Sequence, residues 1–565
     1  MNIDLKLTTT ISGAKEGIIG KINKIIGDQV SIGEVIMTIE ASKGSTDLKA
    51  TSKGTITSLV VEEGDSIKVG QLLGTMDGEK DQAKKSPNSY FSGILKAEKE
   101  ELDTEITIIG AGPGGYVAAI QAAKMGAKVI LIENEKLGGT CLNWGCIPTK
   151  ALVRSAEVYK NCKEAESFGV ITNNVEVDIK KMISRKNSVV EELVQGIEYL
   201  LNKHNVKIIK GKAEITDKTT VLVKSKRLES TIKTKDIIIA TGSETSILNI
   251  QGCESKNILT SKEVLDIKEL PKRMVIIGGG IIGMEFAFIF ASLGVEVTVI
   301  EYFESILTCL DKDLCEVITN SAKKAGIKLF TGCKVEKILD SEDGQSIVCF
   351  SKEGSDSCMA TDKVLMSVGR KPYFEGVGIE KIGVEISDKT KGIKVNEKME
   401  TSVENVYAIG DVTNIIQLAH VASHQGITAV KNILGEEEKI SYDTVPSAIF
   451  TSPEIAMVGV TEKQAAKDNM DIKIGMFPFA ANGKALTLGE KTGFVKLIMD
   501  NSTDKLIGGA IIGPHATDLI SEITLAIQNN LTAEAIISTI HAHPTTAEAL
   551  HEAALQLKTG AIHFA

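Results

Sequence analysis

Arginine does not occur before Arg154, although lysine is plentiful from the first residues onward. That absence argues against an arginine-rich transit peptide, and no basic-then-apolar leader opens the chain, so no targeting segment is expected. Positive charge is in deficit overall. Lys and Arg total 64 against 74 Asp and Glu, and the net charge of −10 speaks against nucleic acid as the main partner. A true membrane span is also missing. The longest apolar run, Val275 to Val295, carries four glycines in its first nine positions and Glu285 at its centre, so it reads as a buried strand, turn and helix. Cysteine is present but unorganised: nine residues, an odd number with no repeating framework, indicate a reducing compartment and not a secreted scaffold. Seven of them (Cys162, Cys253, Cys309, Cys315, Cys333, Cys349 and Cys358) show no metal-ligand spacing and read as reduced structural thiols, so no metal site is expected. The expected location is the cytoplasm, with no membrane partner.

What is present is a set of rulers. At 565 residues, 43% hydrophobic and 24% charged, the chain is an ordinary globular composition too long for one core, and about three to five domains are expected. A buried strand, Glu105 to Ile109, runs into Gly110-Ala111-Gly112-Pro113-Gly114-Gly115, then a helix pattern, then a second strand ending at Glu133. A lone GxGxxG is weak. Inside a strand–turn–helix–strand unit, with an acid 18 residues after the last glycine, it marks a dinucleotide site. The glycines let the backbone approach a pyrophosphate at the helix N-terminus, and the acid accepts from ribose hydroxyls. The same ruler recurs from Gly278, Gly280 and Gly283 to Glu301, with 23 positions from first glycine to acid in both copies. A carboxylate at Glu301 repels a 2′-phosphate, which favours NAD over NADP.

Between the two rulers lies Gly138-Gly139-Thr140-Cys141-Leu142-Asn143-Trp144-Gly145-Cys146-Ile147-Pro148-Thr149-Lys150. Two buried thiols near a helix start is the plain interpretation. The surroundings suit thiolate chemistry better, because unpaired N–H groups at a helix N-terminus lower a thiol's pKa. Residues five apart in an ideal helix sit too far for a disulfide, which wants Cα atoms at about 5.5 Å. The first turn must therefore be distorted, and Gly145 supplies the freedom. Such a disulfide is labile and suited to cycling.

Residues 1–77 contain an internal repeat: Gly17, Gly27-Asp28 and Gly33 recur as Gly54, Gly64-Asp65 and Gly70, each shifted by 37. Short alternating segments between the glycines read as strands, and two related half-sheets make a small all-β sandwich with Lys43 at the turn joining them. Residues 78–103 read as a linker with a short helical piece around Leu95–Glu101. The apolar stretches before Thr241-Gly242, Gly369 and Asp411 read as buried strands with polar ends. Residues 446–565 have no nucleotide fingerprint, mix strands with amphipathic helices, and end near His541-Ala542-His543-Pro544-Thr545-Thr546-Ala547-Glu548.

The thirteen residues from Gly138 to Lys150 resemble the redox-disulfide motif of the flavin-dependent disulfide oxidoreductases, nearest to the dihydrolipoamide dehydrogenase type. Trp144 and Thr149 stand where that family more often has Val and Ser. The resemblance covers about residues 104–565, and residues 1–77 resemble the lipoyl and biotinyl carrier domains. Ser42 and Gly44 flank Lys43 where biotinyl domains place methionines, which favours lipoate on Lys43, although lipoyl domains commonly have Asp at the position of Ser42.

The implied fold is α/β: a carrier sandwich (1–77), the linker (78–103), an FAD-binding domain in two parts (104–250 and 379–445), an NAD-binding domain (251–378) and an α+β dimerisation domain (446–565). Gly110, Gly112, Gly115, Glu133, Thr140, Lys150, Thr241, Gly242, Asp411 and Ala419 would hold FAD. Gly278, Gly280, Gly283, Glu301 and Gly369 would hold NAD. The implied reaction is oxidation of dihydrolipoyl groups to lipoyl with NAD⁺ as final acceptor, in a 2-oxo acid dehydrogenase-type complex. His543, oriented by Glu548, would be the acid/base acting on the Cys141–Cys146 disulfide of the partner in a homodimer, with Lys150 and Glu285 near the flavin. Expected partners are lipoyl domains or the acyltransferase core of the complex. Alternatives are another NAD(P)H-dependent flavin disulfide reductase, or mainly a docking or carrier subunit acting through residues 1–77.

Overall fold

The 37-residue repeat has a direct physical counterpart in the core of the N-terminal unit. The computed structural model describes residues 2–6, 16–31, 33–41, 44–50, 52–68, 70–78, 98–225 and 228–564, and divides into two units, Met1–Lys96 and Ala97–Ala565. In the first unit two four-stranded antiparallel sheets form. One runs Asn2–Lys6, Leu72–Gly78, Gly54–Leu59, Gln29–Val30, and the other Gly44–Lys49, Val35–Ala41, Glu16–Ile22, Ser66–Lys68. A shift of 37 carries each repeated strand into the opposite sheet, so the same apolar positions meet in the middle from both sides. Ile19 and Ile56, Val30 and Ile67, Ile36 and Leu73, and Ile39 and Met76 are such pairs, all buried in one cluster. Each contributes roughly 1.5–3 kcal/mol of transfer energy. The turns match as well: Gly27 donates to the Ile56 carbonyl at 2.9 Å and Gly64 to the Ile19 carbonyl at 2.8 Å. Ala41 pairs with Gly44 across the hairpin that joins the halves. Ser42 and Lys43 themselves lie outside the described residues, as do residues 79–97 of the expected linker.

The short helix expected around Leu95–Glu101 is not what the described part of that stretch forms. Glu98–Asp103 is a strand, paired in parallel with Leu228–Lys233. Local composition favours helix, but cross-strand partners decide here. Lys99 lies 3.0 Å from Glu229, its register partner, and Ser230 donates to Glu100 at 2.6 Å. These pairs and Leu102 opposite Ile232 stabilise an edge strand that no window of sequence reveals.

The second unit contains two five-stranded parallel sheets of the same design. The first runs Lys207–Lys210, Val129–Glu133, Ile106–Ile109, Asp236–Ile239, Val406–Ala408, and the second Lys328–Phe330, Glu296–Ile300, Arg273–Ile277, Lys363–Met366, Ile258–Leu259. In each, the strand before the glycine loop is central and the strand ending in the acid is its neighbour. Continuous burial of Ile106–Ile109 and Met274–Ile277 follows, since both faces of a parallel sheet are covered. The apolar run divides as expected into the strand Arg273–Ile277 and the helix Ile281–Ser292, which is buried from Gly283 through Phe290. Among the described residues no helix is long and apolar enough to cross a membrane.

The last domain is a five-stranded antiparallel sheet, Ser447–Ile449, Glu454–Gly459, Leu506–Gly513, Phe494–Asp500, Ile472–Pro478, with helices Ala516–Gln528 and Glu548–Gln556 packed on it. Lys496 in its middle is fully buried. Its ammonium lies 3.1 Å from Asp311, 2.9 Å from Asp313 and 2.6 Å from Glu462. Those three carboxylates have the spacing of a cation site, and the lysine occupies it.

Two of the seven cysteines read as reduced thiols are instead joined: Cys349 and Cys358 form a disulfide, with Cα atoms 4.1 Å apart. Glu353 and Gly354 both adopt positive φ (48° and 82°), a two-residue hairpin turn that places Cys349 directly opposite Cys358. A spacing of nine matches no cysteine framework, so only the hairpin register brings the pair together.

Candidate active site

An open cleft of about 1280 Å³ runs between the two parallel-sheet domains and is lined by both glycine loops and by Cys141 and Cys146. The loops are superposable in their demands. A Cβ at Gly110 would lie 2.3 Å from the Ala240 carbonyl oxygen, and at Gly278 2.5 Å from that of Ser367. At Gly115 and Gly283 it would meet the loop's own first carbonyl at 1.8 and 2.0 Å. The protein itself therefore requires the first and third glycines.

The middle glycines differ. Gly112 and Gly280 have ordinary φ (−69° and −76°), and a Cβ on either would meet nothing within 4 Å. Neither conformation nor packing demands glycine there. The space left open there, at the uncapped N-termini of Pro113–Lys124 and Ile281–Ser292, suits the close approach of an anionic ligand. The residues thus fit the two dinucleotides that the motifs imply.

The acids have a second task that the spacing did not reveal. Glu133 accepts the N–H of Ala111 at 2.8 Å and of Glu135 at 2.6 Å, and Glu301 accepts those of Gly279 at 2.5 Å and Phe303 at 2.7 Å. Each carboxylate locks its own glycine loop while lining the cleft.

The distortion expected between the cysteines is present. Gly139–Trp144 ends at Gly145 (φ −139°, ψ −114°), and a new helix, Cys146–Glu164, begins with the second cysteine as its first residue. The break brings the thiols within hydrogen-bonding reach. The Cys141 thiol donates to Cys146, and with the Lys150 ammonium nearby this lowers the Cys146 pKa to about 7. The same pairing, with burial, pushes the Cys141 thiol upward. Lys150 meets both oxygens of Glu285 at 3.0 and 2.9 Å and stands 4.5 Å above the Phe450 ring, while the Phe450 N–H reaches Glu285 at 3.0 Å. Three stretches of chain far apart in sequence meet at this one buried carboxylate.

Asp411, Thr140, Thr241, Gly242, Gly369 and Ala419 all line the cleft. Sequence reasoning passed over the residue that ties several of them together. Arg370 donates to the Ser243 hydroxyl at 2.8 Å and carbonyl at 2.6 Å, and contacts the Thr140 hydroxyl at 3.5 Å, while Ser243 donates to Asp411 at 2.6 Å. Burial pulls the Arg370 pKa down, and the Asp411 charge opposes it. Its only signal in the sequence is a basic residue directly after the Gly369 turn.

His543 and Glu548 are brought together, with Nδ1 to Oε1 at 2.8 Å, and Glu548 also accepts the Thr545 N–H at 2.8 Å. With Nδ1 engaged, Nε2 is the nitrogen left for acid–base work. The imidazole is 78% exposed, and neither residue lines the cleft of its own chain.

A model of the pyridine nucleotide-disulphide oxidoreductase family matches residues 104–426, and the model of that family's dimerisation domain matches 445–554. The chain belongs to the pyridine nucleotide-disulphide oxidoreductases. Residues 4–76 match a model described as biotin-requiring enzyme, in keeping with the two-sheet N-terminal unit. A dihydrolipoyl dehydrogenase of Chlamydia pneumoniae is 43% identical over 461 residues, spanning 81% of this chain and 98% of that protein. One of Bacillus subtilis is 43% identical over 472 residues, spanning 81% and 99%. Among solved structures, LpdA of Mycobacterium tuberculosis is similar with a TM-score of 0.76 at 28% identity, covering 80% of this chain and 99% of that one. Membership places the glycine loops and the broken-helix dithiol in a family whose name already pairs a pyridine nucleotide with a disulfide.

Proposed function

We propose that this oxidoreductase is a dihydrolipoyl dehydrogenase, oxidising dihydrolipoyl dithiols with NAD⁺ as acceptor. The observation that carries the reading is the dithiol at the helix break, with Cys141 and Cys146 both lining the cleft between two dinucleotide cradles. FAD at Gly110, Gly112, Gly115, Glu133, Thr140, Lys150, Thr241, Gly242, Asp411 and Ala419, and NAD⁺ at Gly278, Gly280, Gly283, Glu301 and Gly369, supply the two-electron chemistry when bound.

The chain's own residues do the thiol and proton work. His543, held by Glu548, takes the proton of a substrate thiol. The substrate thiolate attacks Cys141 in the oxidised pair, and Cys146 leaves as the thiolate, the form its lowered pKa favours. The second substrate thiolate then closes the lipoyl ring and releases Cys141, whose raised pKa suits it to end as a thiol. Because His543 stands exposed and away from its own cleft, it serves the dithiol of a partner subunit, and the working form is a homodimer. Lys43 carries lipoate in this reading, and the partners are lipoyl domains or the acyltransferase core of a 2-oxo acid dehydrogenase-type complex in the cytoplasm.

The test is complementation. His543→Gln and Cys141→Ser chains, each inactive alone, are unfolded, mixed equally and refolded, and NADH formation from dihydrolipoamide is followed. Half the dimers are mixed and each has one complete site, so about a quarter of wild-type activity returns. No recovery in dimers of normal size, or a monomer with full activity, refutes the shared site. A wild-type enzyme inert toward dihydrolipoamide refutes the function.

A further inference from the structure

We propose that Cys349 and Cys358 form a second dithiol–disulfide couple that exchanges with dithiols of the dihydrolipoyl class, separately from Cys141 and Cys146. The idea rests on the proposed function only for the identity of its reductant. Cys349 and Cys358 form the one disulfide among the described residues, and the chain's other seven cysteines are free thiols.

Three features of the hairpin support exchange instead of stapling. Access comes first. Cys349 is buried at 7% exposure, but Cys358 sits in an outer strand where Ser355, Asp356, Ser357 and Cys358 are all exposed. A thiolate from solution can therefore reach the Cys358 sulfur, and exposed disulfides are the labile ones.

Independence of the backbone comes second. Seven register pairs from Ser346–Thr361 to Lys352–Ser355 hold the two strands together. Val348 and Phe350, on either side of Cys349, are buried with Val335 and Ile338 of the same domain. Opening the bridge leaves this pairing intact. Ready reclosure comes third. The ladder, and not the bridge, keeps the two Cα atoms opposed, at 4.1 Å against about 4.5 Å for an ordinary non-hydrogen-bonded pair.

The chemistry balances. A dihydrolipoyl thiolate attacks Cys358 Sγ, and the Cys349–Cys358 bond breaks with Cys349 leaving as a thiolate. The second dihydrolipoyl thiolate then attacks its own chain's sulfur in the mixed disulfide, closing the cyclic lipoyl disulfide and releasing Cys358. The electron pair passes to the protein, and the two dithiol protons end on Cys349 and Cys358. The reverse reaction, with a lipoyl disulfide as oxidant, closes the bridge.

The experiment uses the full-length Cys141→Ser/Cys146→Ser protein, in which exchange at the cleft is impossible, with wild type in parallel. Each is equilibrated without air in lipoamide and dihydrolipoamide at ratios from about 100:1 to about 1:100, quenched in acid, alkylated and digested, and the Cys349 and Cys358 peptides are quantified by mass. The expected result is an oxidised fraction that follows the ratio through half-conversion. A bridge that survives the largest excess of dihydrolipoamide, or thiols that stay open in the largest excess of lipoamide, overturns the proposal. Cys358→Ser in the otherwise wild-type chain is expected to keep full dihydrolipoamide turnover, and loss of turnover there overturns the separation of the two couples. The peptide readout needs neither NAD⁺ nor turnover, so its failure and that of the proposed function are distinguishable.

Discussion

Lys150→Met tests the electrostatics of the dithiol most directly. Lys150 lies four residues after Cys146 on one helix, where side chains are neighbours at about 5–6 Å between Cβ atoms. At an effective dielectric of about 20, a unit charge at about 6 Å is worth about 2.8 kcal/mol, or about two pKa units. Lys150 is 29% exposed and Cys146 faces solvent, so screening reduces this to about one unit. Removing the ammonium also leaves the Glu285 carboxylate, 5% exposed, un-neutralised near the thiol, which acts in the same direction.

The Cys146 midpoint is therefore expected to rise from about 7 to about 8. Below its pKa the thiolate is lost, so its share at pH 7 falls from about a half to about a tenth, and alkylation slows about fivefold. The assay is the pH profile of iodoacetamide labelling of the reduced protein, read on the Cys146 peptide. Glu285→Gln is expected to move the midpoint down, since its charge raises the Cys146 pKa, and Cys141→Ala to move it up by removing the thiol that donates to Cys146. A midpoint unchanged in Lys150→Met, or shifts of the same sign in the Lys150 and Glu285 variants, refutes the reasoning.

Glu301→Ser is expected to narrow the preference for NAD over NADP about tenfold, and to lower the melting temperature because the Gly279 and Phe303 N–H groups lose their acceptor; an unchanged ratio in paired kinetic assays removes the ribose role. Burial pushes the Asp236 carboxyl up to about 6, so the folded protein binds more protons than the unfolded chain between about pH 4 and that value, and stability falls as pH rises through the window. Asp236→Asn is expected to raise the melting temperature at pH 7 by about 1–3 °C and to leave it unchanged at pH 4; calorimetry at both pH values decides. Lys43→Arg is expected to keep full activity on free dihydrolipoamide while abolishing the lipoyl mass of about 188 Da on the wild-type chain, and a wild-type chain without that mass in lipoylating cells rejects the carrier role.

Much of this molecule is legible in one dimension because its causes are local or periodic. Glycine at 115 and 283 is demanded by contacts within a single turn, the 37-residue repeat by a sandwich whose two halves bury equivalent side chains, and the helix break by the geometry of two cysteines five apart. Such constraints act between neighbours in the chain or recur at a fixed interval, and so leave a pattern in the sequence. The tertiary structure alone decided what depends on distant partners. Glu98–Asp103 is a strand because residues 228–233 lie beside it, and Cys349 is oxidised because a turn centred on Glu353 and Gly354 puts Cys358 opposite. Arg370 reaches Ser243 over 127 positions, Glu285 receives Lys150 over 135, and Lys496 is tolerated in a core because Asp311 and Asp313, from 185 and 183 positions away, and Glu462 are folded against it. Burial makes each of these polar groups costly unless paired. The pairing partner is chosen by the path of the chain through space, and proximity of that kind leaves no periodic trace in the order of residues.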